Sequence, residues 1–198
     1  MEALHFIGLP QEVMLKLFKN YSYQERVLML EMKRGQRPLS YAFLTVNPAA
    51  AKVLIKAGAD VTARNIYGNE PIHYAGNRSP LDLSPIDSLI QGGADVDSTN
   101  KENYTALFYA INSDKTPTVI FLLDKGASLS HWDIRGHTPI LLAVIKNSRK
   151  SFQILLDRGA ACDAVDRKGA NLLHLAAQHA DLDTIDQLML SLKRYLLV

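Results

Sequence analysis

The sequence predicts an all-α fold: a solenoid of about five helix–turn–helix units with β-turn tips, preceded by an N-terminal helical hairpin. Two observations predict it. An eight-residue motif that ends in alanine begins five times, at Gly35, Gly68, Asn103, Gly136 and Gly169. The pair Gly-Ala recurs at the same 33–35 residue period, at Gly58, Gly93, Gly126 and Gly159. A fixed period of this length is typical of stacked repeat units.

Each unit is interpreted as two short helices joined by a turn. Proline stands where the first helix of three units begins, at Pro38, Pro71 and Pro139, a position at which its missing N–H costs no helical hydrogen bond. The second helix ends in two large apolar residues, at 54–55, 89–90, 122–123, 155–156 and 188–189. The glycine that follows suits the left-handed position after a helix. An Asx residue near a further glycine then predicts the turn into the next unit.

The motif and its period resemble the ankyrin repeat, whose signature is Thr-Pro-Leu-His-x-Ala every 33 residues. The resemblance covers residues 35 to about 192 and predicts an ankyrin repeat domain over 35–198, with units that start near 35, 68, 103, 136 and 169. Asn103, Ala106 and Leu172 depart from the pattern, and only His73 and His174 keep its histidine. In the family this histidine ties adjacent turns by hydrogen bonds, so the resemblance implies a structural role for both.

Residues 1–34 do not fit the period and predict a helical hairpin with two interpretations. One is an N-terminal cap, because a solenoid needs its first repeat covered. The other is a resemblance to the F-box, which docks onto the Skp-family adaptor of SCF ubiquitin ligases. The residues that match its pattern are Leu9, Pro10, Glu12, Val13, Leu17 and Phe18. The usual third F-box helix is missing. An F-box ahead of ankyrin repeats would be similar to ankyrin effectors of intracellular bacteria.

The composition excludes several classes of protein. The chain of 198 residues is 47% hydrophobic and 21% charged, with a net charge of +2, which is ordinary for a soluble domain. Its one cysteine allows neither an internal disulfide nor a four-cysteine metal site. The near-neutral charge argues against a nucleic-acid partner, and no apolar run is long enough for a membrane span. The N-terminus is unlike a secretory signal, so we expect a cytoplasmic protein, in the host cytoplasm if it is a secreted bacterial effector.

The expected function is the binding of a partner protein. The resemblance implies that partner contacts lie at the turn tips and on the concave face of the first helices. The partner-binding residues predicted at the tips are Arg64, Ile66, Tyr67, Lys101, Tyr104, Trp132, Ile134, Arg135 and His137. Tyrosine, tryptophan and arginine are enriched at the energetic centres of interfaces. The alternative is that Trp132 and Tyr67 pack against the neighbouring hairpin.

No phosphate-binding, nucleophile or metal-ligand motif occurs in the sequence. We therefore expect a non-catalytic module with no cofactor and no metal. Two alternatives stay open. The chain could be an F-box-type substrate adaptor that recruits a host ubiquitin ligase through a Skp-family protein, or the interaction domain of a longer enzyme that is cut after Val198. If the tips are a binding surface, Trp132→Ala with Tyr104→Ala should leave folding intact and weaken partner binding.

Overall fold

A computed structural model describes residues 35–45, 47–77 and 82–196. This part of the chain folds into ten helices in five consecutive pairs. Their bounds are α1 Pro38–Leu44, α2 Pro48–Lys56, α3 Pro71–Asn77, α4 Ser84–Gln91, α5 Ala106–Asn112, α6 Thr116–Asp124, α7 Pro139–Ile145, α8 Arg149–Asp157, α9 Leu172–His179 and α10 Leu182–Leu196. Among the described residues, extended pairing is limited to an isolated bridge between Val165 and Asn171. The predicted all-α class is confirmed.

The predicted N-terminal hairpin over 1–34 lies outside the described residues, and so do the F-box-like residues Leu9 to Phe18. The choice between a cap and an F-box therefore stays a prediction, as does the domain boundary at residue 35. Val198, at which a cut was expected, also lies outside the described residues.

The ends of the helices lie where the local chemistry of the sequence places them. Three of the first helices begin at the predicted prolines, as α1 does at Pro38. The side chain of Asn47 accepts a hydrogen bond from the Ala50 N–H at 3.0 Å and caps α2. After α6, Gly126 adopts a φ of +90°, and its N–H bonds to the Leu123 carbonyl at 3.0 Å. Glycine meets the left-handed conformation there without a steric cost.

The helices stack in two layers. The first helices of successive pairs pack in chain order, α1 on α3, α3 on α5, α5 on α7 and α7 on α9. In the second layer, α2 packs on α4 and α6 packs on α8. Apolar side chains at matching places in successive units fill the space between the layers, among them Leu89, Leu122 and Leu155, which are fully buried. Each side chain of this kind contributes about 1.5–3 kcal/mol by leaving water.

A glycine brings α3 and α5 into direct contact. A Cβ atom added at Gly76 would lie 2.2 Å from the Ala106 carbonyl oxygen and 3.0 Å from the Tyr109 Cβ. The carbonyl belongs to the backbone and cannot move aside without shifting α5. The two helices therefore approach to a separation that only glycine permits.

We expect Gly76→Ala to lower the free energy of unfolding by about 1–3 kcal/mol, the usual cost of forcing extra atoms into a packed interior. Alanine otherwise favours a helix over glycine, so a loss in this helix reports the contact between α3 and α5. Chemical denaturation of the two proteins measures the difference. A variant as stable as the parent chain would show that the helices separate freely.

Candidate functional site: the tips of the turns

Four turns between successive helix pairs are closed by Asx side chains. In the turn before α7, the Asp133 Oδ1 accepts hydrogen bonds from the N–H groups of Arg135 and His137, both at 2.8 Å. The side-chain Oδ1 atoms of Asn65, Asn100 and Asp166 make the same pair of bonds in the other turns. Hydrogen bonds from the backbone N–H groups of Ala170 and Lys168 hold the pKa of the Asp166 carboxyl below its usual range, and the bond from Ala170 has the larger effect. Each turn is thus fixed by a side chain at its centre.

Backbone hydrogen bonds join each turn to the next. The Lys101 N–H donates to the Tyr67 carbonyl at 3.0 Å, and the Ile134 N–H donates to the Glu102 carbonyl at 3.2 Å. The Arg167 N–H repeats this bond with the Arg135 carbonyl at 3.0 Å. The four tips therefore form one continuous edge along the stack.

Two rows of side chains run along this edge. The first row consists of Ile66, Lys101, Ile134 and Arg167, and the second row consists of Tyr67, Glu102, Arg135 and Lys168. All eight residues are exposed. We define the tip surface as these two rows with Trp132 and Val165, which are also exposed. Such a run of exposed apolar side chains, set among polar ones, is typical of interaction sites.

Trp132 is held by its neighbours and remains half exposed, with 50% of its surface accessible. The Arg167 guanidinium lies 5.4 Å from the centre of the indole ring, within the range of a cation–π contact. The Asn103 side chain donates to the Trp132 carbonyl at 2.5 Å. One side of Trp132 therefore contacts the adjacent turn, as the packing interpretation predicts, and the rest faces solvent. Partner binding at Trp132 stays a prediction.

The tip surface carries more positive than negative charge. Lys101, Arg135, Arg167 and Lys168 stand against the single carboxylate of Glu102. The carboxylates of Asp133 and Asp166, which close two of these turns, offset part of this charge, but they face the backbone N–H groups. The exposed charge of the tip surface is therefore mainly positive. A surface of this kind favours an acidic binding partner through electrostatic complementarity.

Arg64 links two turns. Its guanidinium pairs with the buried carboxylate of Glu70 at 2.9 Å, and it also donates to the Thr99 carbonyl at 3.1 Å and to Ser98 Oγ at 3.2 Å. Its side chain is about half exposed. Much of the hydrogen-bonding capacity of the Arg64 guanidinium is therefore used within the protein, and Arg64 has the structural role of joining these two turns.

Two of the residues predicted to contact a partner at the tips are not exposed, although such a role requires exposure. His137 is buried, with 8% of its surface accessible, and its Nδ1 lies 3.1 Å from Asp133 Oδ2. Tyr104 is half buried and stacks on Phe108, with 5.2 Å between ring centres. The reason is the same in both turns. The carbonyl of this residue accepts from the N–H of the Asx residue four places earlier, which turns its side chain away from the exposed edge.

Two tyrosines outside the predicted set connect the first helices to the tips. The Tyr74 hydroxyl accepts from the Asn65 side chain at 2.6 Å. The Tyr109 hydroxyl lies 3.2 Å from Asn69 Oδ1 and accepts from the Asn100 side chain at 3.0 Å. Partial burial raises the pKa of Tyr109 above its usual value. The signal was present in the sequence, because both tyrosines directly precede the alanine that ends the motif.

The two motif histidines differ in their contacts. His73 Nδ1 accepts from the Glu70 N–H at 3.0 Å, and its Nε2 lies 3.1 Å from the Tyr104 carbonyl in the next turn. This agrees with the predicted tie between turns, and burial lowers the pKa of His73. His174 is exposed and bonds to the Asn171 side chain at 2.7 Å.

Three further features of the described residues concern the cysteine thiol, the side chains that could bind a metal, and the length of the helices. Partial burial, with Asp163 nearby, raises the pKa of the Cys162 thiol, which disfavours the reactive thiolate. In the described ranges, the acidic, histidine and cysteine side chains form no cluster of three or more that could hold a metal ion. None of the described helices combines the length and the apolar character that crossing a membrane requires.

A family model of ankyrin repeats, in three copies, matches residues 79–166. This segment consists of ankyrin repeats. This match covers the turns before α5 and α7, which supply the middle of the tip surface, together with the helices that carry them. Ankyrin repeats imply a protein–protein interaction module, which is the coarse function expected from the sequence.

Three proteins from different organisms are similar in sequence to part of this chain. The chain is 36% identical over 102 residues to the B-cell lymphoma 3 protein homolog of Mus musculus, a match that covers 50% of this chain and 23% of that protein. It is 35% identical over 84 residues to the putative ankyrin repeat protein FPV244 of Fowlpox virus (strain NVSL), covering 42% and 12% of the two chains. It is 31% identical over 110 residues to the E3 ubiquitin-protein ligase KEG of Arabidopsis thaliana, covering 54% and 7%. The chain thus matches less than a quarter of the length of each of these relatives.

Proposed function

We propose that the chain binds a partner protein through the tip surface, and that the bound segment of the partner is acidic and partly apolar. The repeat domain over 35–198 is the binding unit in this proposal. The observation that carries it is the first row, in which apolar and cationic side chains alternate: Ile66, Lys101, Ile134, Arg167.

The rigidity of the edge supports this function. Because hydrogen bonds within and between the turns fix the backbone, the positions from which the exposed side chains project are set before a partner arrives. Less conformational entropy is then lost on binding. Trp132 and Tyr67 offer large apolar contact areas, while the cations beside them attract carboxylates and accelerate association.

A selection experiment tests the chemistry of the partner. Random peptides displayed on phage and selected on the immobilised chain are expected to enrich sequences that combine Asp or Glu with large apolar residues. A triple variant, Lys101→Glu, Arg135→Glu and Lys168→Glu, is expected to bind a selected peptide more than about tenfold more weakly, because facing like charges cost several kcal/mol. Calorimetry at two salt concentrations measures the loss, which should shrink as salt screens the charges.

A matched control has the same change in net charge away from the tips. Lys56, Lys146 and Lys150 are exposed in the second helices or in the turns next to them, and their triple change to glutamate should leave peptide binding within about twofold at high salt. Equal losses in the two variants would assign the effect to net charge alone. Selected peptides without acidic residues would contradict the proposed partner class.

A second candidate function is recruitment of a ubiquitin ligase through residues 9–18. It is supported by the F-box-like pattern that begins at Leu9 and Pro10, and by similarity of the repeats to a protein named as an E3 ubiquitin-protein ligase. Calorimetry with a purified Skp-family adaptor tests it, with Leu9→Ala, Pro10→Ala as the control. Tight binding that the variant loses would support the F-box interpretation, whereas no binding by the folded parent chain would leave the hairpin as a cap.

A further inference from the structure

The last helix pair exposes side chains at places that inner units bury. Leu173 in α9 is 42% exposed, whereas Ile140 and Leu107, at the matching places in α7 and α5, are 1% and 0% exposed. Met189 in α10 is 43% exposed, whereas the matching Leu156 in α8 is 5% exposed. These places are buried where a further unit stacks on them.

Contacts between α8 and α10 identify the same face. The Arg149 Nε donates to Thr184 Oγ1 at 2.9 Å, and the Gln187 side chain donates to Gln153 Oε1 at 3.1 Å. The residues 33 places after Arg149 and Gln153 are Leu182 and Asp186, which are both exposed. Residues at these places in α8 reach the next unit, so their counterparts in α10 lie on the face of the last described pair that is turned away from α7 and α8.

We define the end face by its exposed residues: Leu173, Leu182, Asp186, Met189, Leu190 and Lys193. In a helix with 3.6 residues per turn, the five members in α10 lie along one side. The apolar members form a patch with one acidic and one basic residue beside them. None of these residues belongs to the tip surface.

The order of these residues along α10 is self-complementary. Asp186 precedes Met189 by three residues, and Lys193 follows Leu190 by three residues. If two copies of α10 pair antiparallel about a centre between Met189 and Leu190, each Asp186 lies opposite the Lys193 of the second copy. Met189 then lies opposite Leu190, and both charge pairs flank an apolar centre. A two-fold interface requires self-complementarity of this kind.

We propose that the end face binds a second copy of this chain and forms a symmetric dimer through antiparallel α10 helices. The second copy covers Met189 and Leu190, and two Asp186–Lys193 pairs set the register. The dimer is independent of the proposed partner binding, because the tip surface contributes no residue to it.

Sedimentation of the full chain from low to high micromolar concentration tests the proposal. The parent chain is expected to shift from monomer to dimer. Met189→Asp with Leu190→Asp should abolish the shift, since it places carboxylates at the apolar centre. Both side chains are exposed, and circular dichroism checks that the variant stays folded.

Charge exchange separates direct pairing from a loss of structure. Asp186→Lys alone and Lys193→Asp alone should each raise the dissociation constant about tenfold or more, because like charges then face each other. The two changes together should restore the dimer, and Lys150→Asp on α8 should have no effect. A parent chain that is monomeric throughout would overturn the proposal, as would a double variant no better than the single ones.

Discussion

We expect Asp133→Ala to lower the free energy of unfolding by about 3 kcal/mol, because a buried charged acceptor is removed from two backbone donors. Asp133 is 1% exposed. Without it, the N–H groups of Arg135 and His137 lose their 2.8 Å bonds, and the His137 ring keeps only the more distant Asp166 carboxylate at 3.9 Å. Chemical denaturation measures the loss. The tip should also open locally, and amide hydrogen exchange at residues 134–137 should accelerate.

Asp133→Asn is the matched control. Asn65 and Asn100 close their turns with an amide oxygen in the same pair of bonds, so asparagine can do so here. We expect the asparagine variant to lose less than half of what the alanine variant loses. Similar losses in the two variants would show that this side chain does not close the turn through its oxygen.

The second large effect is expected for Phe108→Ala, with a loss of about 3–5 kcal/mol for a fully buried aromatic ring. Phe108 in α5 is 0% exposed. Its ring supports two turns at once, through Tyr104 at 5.2 Å and His131 at 6.2 Å between ring centres. Equilibrium denaturation of the variant provides the test, and peptide binding at the tips should weaken with it.

Phe121→Ala in α6 removes the same atoms from a half-buried site, where the Lys125 ammonium lies 5.4 Å from the ring centre. Its loss should be clearly smaller, because less apolar surface returns to water. If both variants lost the same free energy, the special position of Phe108 between helix and turns would be refuted.

The 33–35 residue repeat period, together with the prolines and glycines that mark helix ends, was enough to predict the architecture. Prolines mark three helix starts, and a glycine such as Gly126 marks the left-handed position after a second helix. Both residues act through the local backbone, so their effect can be predicted without knowing the tertiary structure. The boundary at residue 35 and the hairpin before it lack such a test, since residues 1–34 are outside the described part of the chain.

The tip surface was only partly predictable, because exposure within a turn depends on its hydrogen bonds. The residues one and two places after each Asx point outward, and Ile66 and Ile134 are exposed as predicted. The residue four places after the Asx is turned inward, which is why the assignments of Tyr104 and His137 to the exposed surface were wrong. Arg64 shows a second limit, since its pairing with Glu70 depends on a contact that the repeat motif does not encode.

The direct contact between α3 and α5 at Gly76 also has a consequence for how the stack comes apart. In a linear array each unit is coupled only to its neighbours, so fraying can start at either end and advance unit by unit. At Gly76 the Ala106 carbonyl of α5 occupies the space that a Cβ atom of α3 would take, so each helix loses a close backbone contact when the other melts. We expect the second and third units to open as one cooperative block, and the end units to open before them.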